Sequence, residues 1–108
     1  GLLCGVLDTP ATNRRGESRI RNEIKEFRPQ LEAYEQFCRD LGEEPANVAL
    51  AWMLSRPDVT APIIGPRTMK HLEGNLSALN LKLEEETLTK LDEIWAGPGG
   101  EAPAAYAW

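Results

Sequence analysis

One short β-branched run set among four helix-patterned stretches is the feature that most constrains this chain. Val59-Thr-Ala-Pro-Ile-Ile64 is bounded by Pro57-Asp58 and Gly65-Pro66, which predicts a buried strand over about 59–64. Pro62 stands inside it and has no N–H to give a ladder. The opening run Gly1 to Leu7 reads as the end of a second strand, at about 1–6. The predicted order is strand end, loop, helix, helix, strand, helix, helix. Such alternation implies an α/β fold with βα units on a parallel sheet. One strand and one stub do not make a parallel sheet, because a lone pair leaves both edges open. The expectation is therefore that these elements belong to a fold larger than 108 residues.

The helical stretches follow from spacing. Asp8 to Asn13 is rich in turn formers and reads as loop, so residues 1–28 are expected to hold a strand end and a loop. Pro29 suits a first helical turn, and Leu31, Tyr34, Phe37, Cys38 and Leu41 then form one apolar stripe. Gly42 stands where a left-handed residue ends a helix. Pro45 restarts the chain, and Val48, Ala49, Trp52 and Met53 mark a second helix that stops near Ser55, before Pro57. Two helices are thus predicted within 29–56. Two more are predicted within 68–96. Thr68 caps the first, with Leu72, Leu76 and Leu79 as its stripe. Glu84, Glu85 and Glu86 open the second, which buries Leu88, Leu91, Ile94 and Trp95. The tail 97–108 is too rich in Gly, Pro and Ala to fold alone, though Tyr106 and Trp108 could anchor it.

Charge narrows the function classes. The formal net charge is −5, and the sum over residues 1–41 is zero, so the second part carries all of it. An acidic chain is a poor general partner for nucleic acid or for an anionic membrane. No apolar run reaches the ~20 residues that cross a bilayer. Two cysteines, Cys4 and Cys38, are too few and too far apart for a disulfide scaffold or a zinc site, so a cytoplasmic location is expected. Arg14, Arg15, Arg19 and Arg21 form a local basic stretch. It reads either as a solvated loop and helix start or as a phosphate-contacting loop.

The segment Ile63-Ile-Gly-Pro-Arg-Thr-Met-Lys-His71 carries the chemistry. A strand is expected to end, Gly65 permits a tight turn or close approach of a ligand, and Thr68 opens a helix. Unpaired N–H groups at such a start, with the helix dipole behind them, attract an anion. Arg67 stands beside them, and a guanidinium can grip a phosphate through two parallel hydrogen bonds. The bland alternative is a strand–helix turn with a surface arginine. Asn75 follows the sole histidine, His71, by one turn on the same face, and its amide offers both a donor and an acceptor. No carboxylate pair, Ser-His-Asp set or metal-spaced cluster accompanies them.

At these residues the chain resembles a known family. The stretch ANVALAWMLSRPDVTAPIIGPRTMKHLEGNLSALNLKLEEETLTKLDEI is similar to the C-terminal part of aldo-keto reductases, and GLLCG resembles the end of their seventh barrel strand. The resemblance implies the C-terminal portion of a (β/α)8 TIM barrel, predominantly helical as it stands, with Val59–Ile64 as strand eight. TIM barrels often bind phosphate in the loops after strands seven and eight. The resemblance also implies NADP(H) as cofactor. Arg67 would meet the adenosine 2′-phosphate, with backbone help from Gly65, and Thr68 would open the helix beside it. Asn75 would contact adenine, and His71 would take the place of a Gln or Arg near the adenosine.

Three positions depart from the family pattern. His71 is one, Gly74 stands where Glu is common, and Val6 stands where a Lys usually follows the GLLTG run. The family's Asp, Tyr, Lys and His tetrad lies on earlier strands. The implied substrate is a small carbonyl compound, reduced to its alcohol by the complete barrel, with this part alone inactive. Two other readings stand beside this one: a non-catalytic, nucleotide-responsive binding module derived from the barrel, and a truncated chain with no function of its own.

Overall fold

A computed structural model describes residues 1–7 and 18–96. Five α-helices follow in order: α1 at Ser18–Glu26, α2 at Arg28–Leu41, α3 at Pro45–Leu54, α4 at Met69–Ser77 and α5 at Glu85–Ile94. A 3₁₀ turn at Ala78–Asn80 continues α4. Asp8 to Asn13, Arg14, Arg15, Gly97, Tyr106 and Trp108 lie outside the described residues.

The helix boundaries obey local chemistry. Pro29 sits in the first turn of α2, and Gly42 closes that helix at φ 72°, ψ 25°. The Gly42 N–H donates to the Arg39 carbonyl and the Glu43 N–H to the Cys38 carbonyl, both at 3.0 Å. Those bonds satisfy carbonyls that a helix end leaves open, at a backbone angle that suits glycine. Pro45 begins α3, and the helix ends at Leu54 with Ser55 as its cap. Glu85 and Glu86 occupy the first turn of α5, where the macrodipole favours acids.

Residues 1–28 hold more order than a strand end and a loop, because α1 occupies Ser18–Glu26. Its signal is short. Ile20, Ile24 and Phe27 recur at four and three positions within a charged sequence. The stripe is used: the Phe27 ring lies 5.5 Å from that of Trp95, tilted by 48°. An edge-tilted aromatic pair of this kind pins the end of α1 to the end of α5.

Neither expected strand forms. Gly1 to Val6 is a run of turns, and Val59–Ile64 belongs to no sheet. A ladder needs a neighbouring strand, and among the described residues there is none. Pro62 subtracts a further donor. Ile63, expected in a core, is fully exposed, and Ile64 is 41% exposed.

The core gathers where α2, α3 and α5 meet. Tyr34, Cys38, Val48 and Leu91 are completely buried, and Leu3, Phe37, Trp52, Leu83 and Trp95 pack around them. Full burial of one such aliphatic side chain contributes about 2 kcal/mol. The expected stripes are not buried throughout: Leu41 on α2 and Met53 on α3 are exposed, and the stripe on α4 is the least buried. Leu72 is half-buried, whereas Leu76 and Leu79 are 50% and 64% exposed. In the 3₁₀ turn that follows, Ala78 takes the buried position.

Candidate functional site

The turn from Ile64 to α4 presents every residue singled out in that region on one short stretch. Thr68 is the N-cap of α4, with extended backbone at φ −135°, ψ 160°, and its Oγ1 accepts the His71 N–H at 3.1 Å. The Leu72 N–H donates to the Thr68 carbonyl, also at 3.1 Å. The second is the first regular bond of the helix, so of the donors left open at the helix start the cap occupies one, that of His71. The N–H groups of Met69 and Lys70 meet no acceptor among the described residues.

The surrounding charge has one sign. Arg67, Lys70 and His71 are exposed, and no acid lies in the first turn of α4. Among the described residues Arg67 makes no ion pair. The cationic Arg67 and Lys70 side chains stand at the positive end of a helix dipole, a conflict that an anion relieves. Gly65 adopts no left-handed angle, so the turn does not need glycine for its backbone. It leaves room instead: a Cβ built there meets nothing within 4 Å. Free N–H groups, an unpaired guanidinium and open space fit a phosphate group.

Asn75 is half-buried on α4, four positions after His71. Beside it, Gly74 faces α3, where an added Cβ would lie 3.6 Å from Asn47 Oδ1. Asn47 Nδ2 in turn donates to Ser77 Oγ at 3.2 Å. Gly74 is thus turned toward α3, with room for a Cβ at ordinary contact distance. Cys4 and Val6 lie in the turns at the beginning of the chain, Cys4 half-buried and Val6 buried.

The other unusual groups belong to the core. Burial, and then the neighbouring Cys38, push the Tyr34 hydroxyl far above its ordinary range. Burial also pushes the Cys38 thiol up to about 11, partly offset by a hydrogen bond with Tyr34. Both therefore stay neutral near pH 7 and are shut away from solvent, which makes Tyr34 a poor proton donor to a substrate. Among the described residues no group of His, Cys, Asp and Glu could hold a metal ion. No described helix is long and apolar enough to cross a membrane.

Sequence reasoning missed Glu35. This carboxylate is 1% exposed, accepts the Leu7 N–H on Oε1 at 3.1 Å, and has no partner for Oε2 among the described residues. Its position gave a signal: Glu35 follows Leu31 by four and precedes Cys38 by three, so it shares the buried face of α2.

Comparison with known proteins agrees with the arrangement of the chain. Residues 2–96 match the Aldo/keto reductase family. The uncharacterized oxidoreductase YrpG of Bacillus subtilis is 52% identical over 85 residues, covering 79% of this chain and 26% of that protein. The aldo-keto reductase yakc of Schizosaccharomyces pombe, whose name specifies NADP(+), is 30% identical over 99 residues, 86% of this chain and 29% of its own. Pyridoxine 4-dehydrogenase of Escherichia coli is 44% identical over 54 residues, half of this chain and 19% of its own. The chain thus spans between about a fifth and three tenths of the length of these relatives. With the family match running through nearly all the described residues, the chain belongs to the aldo/keto reductase family.

Proposed function

We propose that the turn from Gly65 through α4 holds the adenosine end of NADP(H) in an oxidoreductase that converts aldehydes or ketones to alcohols. The observation that carries the reading is the start of α4. There, N–H groups of Met69 and Lys70 that meet no acceptor among the described residues adjoin Arg67, which makes no ion pair among them, and the space left by Gly65. A 2′-phosphate placed there would be gripped by Arg67 and screened from its own charge by the helix dipole. Thr68 keeps the first turn in shape by capping the His71 N–H, so the remaining donors stay aligned. Asn75, one turn further on, would present its amide to the edge of the adenine, and His71 would stand beside the ribose. The bound cofactor supplies hydride for the carbonyl carbon.

The nucleotide preference follows from Arg67. Removing its guanidinium removes a charge-assisted contact that only a 2′-phosphate can make. In a complete barrel carrying this segment, Arg67→Ala is expected to weaken NADPH by about tenfold or more and to leave NADH nearly unchanged. Cofactor fluorescence titration measures both constants. Equal shifts for the two nucleotides would remove Arg67 from this role. The 108-residue chain itself is expected to consume no NADPH in the presence of an aldehyde, since its one fully described tyrosine, Tyr34, is buried in the core.

A further inference from the structure

α4 and the turn that continues it carry an apolar stripe on the side away from the core. Met69, Leu72, Leu76 and Leu79 recur at intervals of three, four and three, the spacing of a seam between paired helices. Leu72 is half-buried, while Leu76, Leu79 and above all Met69, at 68%, are exposed. The opposite side is the one used within the chain. An added Cβ on Gly74 would meet Asn47 of α3, Ser77 Oγ accepts from Asn47, and Ala78 is buried.

The stripe matches itself. Set antiparallel against a second copy with Met69 opposite Leu79, it brings Leu72 opposite Leu76. One two-fold axis, level with Gly74, relates all of these pairs. The antiparallel direction also puts unlike ends of the two helix dipoles together.

Charge selects the same direction. Arg67 and Lys70 are exposed at the start of α4. At its other end Glu43, also exposed, stands with Ser77, Asn80 and Leu81 around one small cleft. Lys70 and Ser77 are seven positions apart, about two helical turns, so they lie on one flank. The two-fold axis keeps that flank on one side of the seam, and Lys70 of each copy comes beside Glu43 of the other. A parallel pair would set Lys70 against Lys70. Glu73 opposes the pairing: it is exposed, borders the stripe and lies next to the axis, so its two copies repel.

We infer that the 108-residue chain forms a two-fold dimer through α4, the second copy running antiparallel with its Glu43 facing Lys70. The occupant is a second copy because the stripe complements itself in both spacing and charge. The inference is independent of the nucleotide reading, and its test contains no nucleotide.

Sedimentation equilibrium of the 108-residue chain, from about 10 µM to about 1 mM, covers the range for an interface of a few exposed side chains. An equilibrium that saturates at two copies is expected. Leu76→Glu puts charge into the seam beside Glu73 and is expected to weaken association about tenfold or more. Lys70→Glu is expected to weaken it about two- to fivefold, and adding Glu43→Lys to restore most of that loss. Glu73→Gln is expected to tighten it about twofold. A chain that stays single at the highest concentration leaves the stripe to some other cover and overturns the inference. Mass growing past two copies, unchanged association in Leu76→Glu, or a charge swap that restores nothing overturns it as well. Should Leu76→Glu lose its helical circular dichroism, Met69→Glu, at the more exposed position, decides in its place by the same criterion.

Discussion

The Tyr34 hydroxyl donates to the Pro45 carbonyl oxygen at 2.6 Å, joining the middle of α2 to the first residue of α3. Tyr34 is completely buried, so water cannot replace this bond. Tyr34→Phe keeps the ring in the core and strands the Pro45 carbonyl, which is expected to cost about 1–2 kcal/mol. Tyr34→Ala also opens a cavity and is expected to cost about 3–5 kcal/mol. Urea unfolding of the 108-residue chain measures both, and a Tyr34→Phe variant as stable as the parent would show that the bond adds nothing.

Thr68 provides a local test of the same kind. Its Oγ1 caps the His71 N–H at 3.1 Å, on an exposed helix start with little packing around it. Thr68→Ala is expected to cost about 1 kcal/mol and Thr68→Ser only a few tenths. The loss belongs to the first turn of α4, so amide exchange at His71 and Leu72 should quicken while Tyr34 and Cys38 stay protected. Uniform acceleration across the chain would mean that the cap supports the whole fold.

Legibility in the sequence followed the range of the forces involved. Caps and breakers act within a few residues, and so Gly42, Pro45 and Thr68 stand where local chemistry puts them. The stripes on α2 and α5 were also readable, because Tyr34, Cys38 and Leu91 bury against each other inside this chain. The β-branched run at 59–64 was different. Its residue types predict a strand, yet a strand exists only with a partner, and no described residue supplies one. α1 was hidden by brevity: two turns of stripe within a charged stretch look like loop. At the candidate site the sequence offered a contiguous run of candidates, while the donors left open at Met69 and Lys70 and the approach of Gly74 to α3 needed coordinates.

Alkaline pH should weaken the fold through Cys38. Its thiol is held up to about 11 from an ordinary 9.0, first of all by burial. Below pH 9 the thiol is neutral in folded and unfolded chains alike, and the contribution to stability is intact. Between pH 9 and about 11 only the unfolded chain ionises, so unfolding releases a proton and stability falls as pH rises. The loss is on the order of 2 kcal/mol by the upper end. Tyr34, raised in the same direction, steepens the decline above pH 10. Thermal melts from pH 7 to 11 should show this slope, and Cys38→Ala should flatten its lower part. An identical slope in that variant would assign the decline to other groups.

Ile63 separates the chain as it stands from the barrel proposed for the complete protein. Here its side chain is fully exposed. Ile63→Asp is therefore expected to change the stability of the 108-residue chain by no more than about 0.5 kcal/mol. If Val59–Ile64 becomes a barrel strand once the rest of the protein is present, the same side chain lies against a neighbouring layer. An aspartate there is a buried charge without a partner, expected to cost at least about 3 kcal/mol and to leave little folded enzyme. Matched urea titrations of the two lengths measure the difference. A complete protein indifferent to Ile63→Asp would mean that this segment stays at the surface and is not the eighth strand.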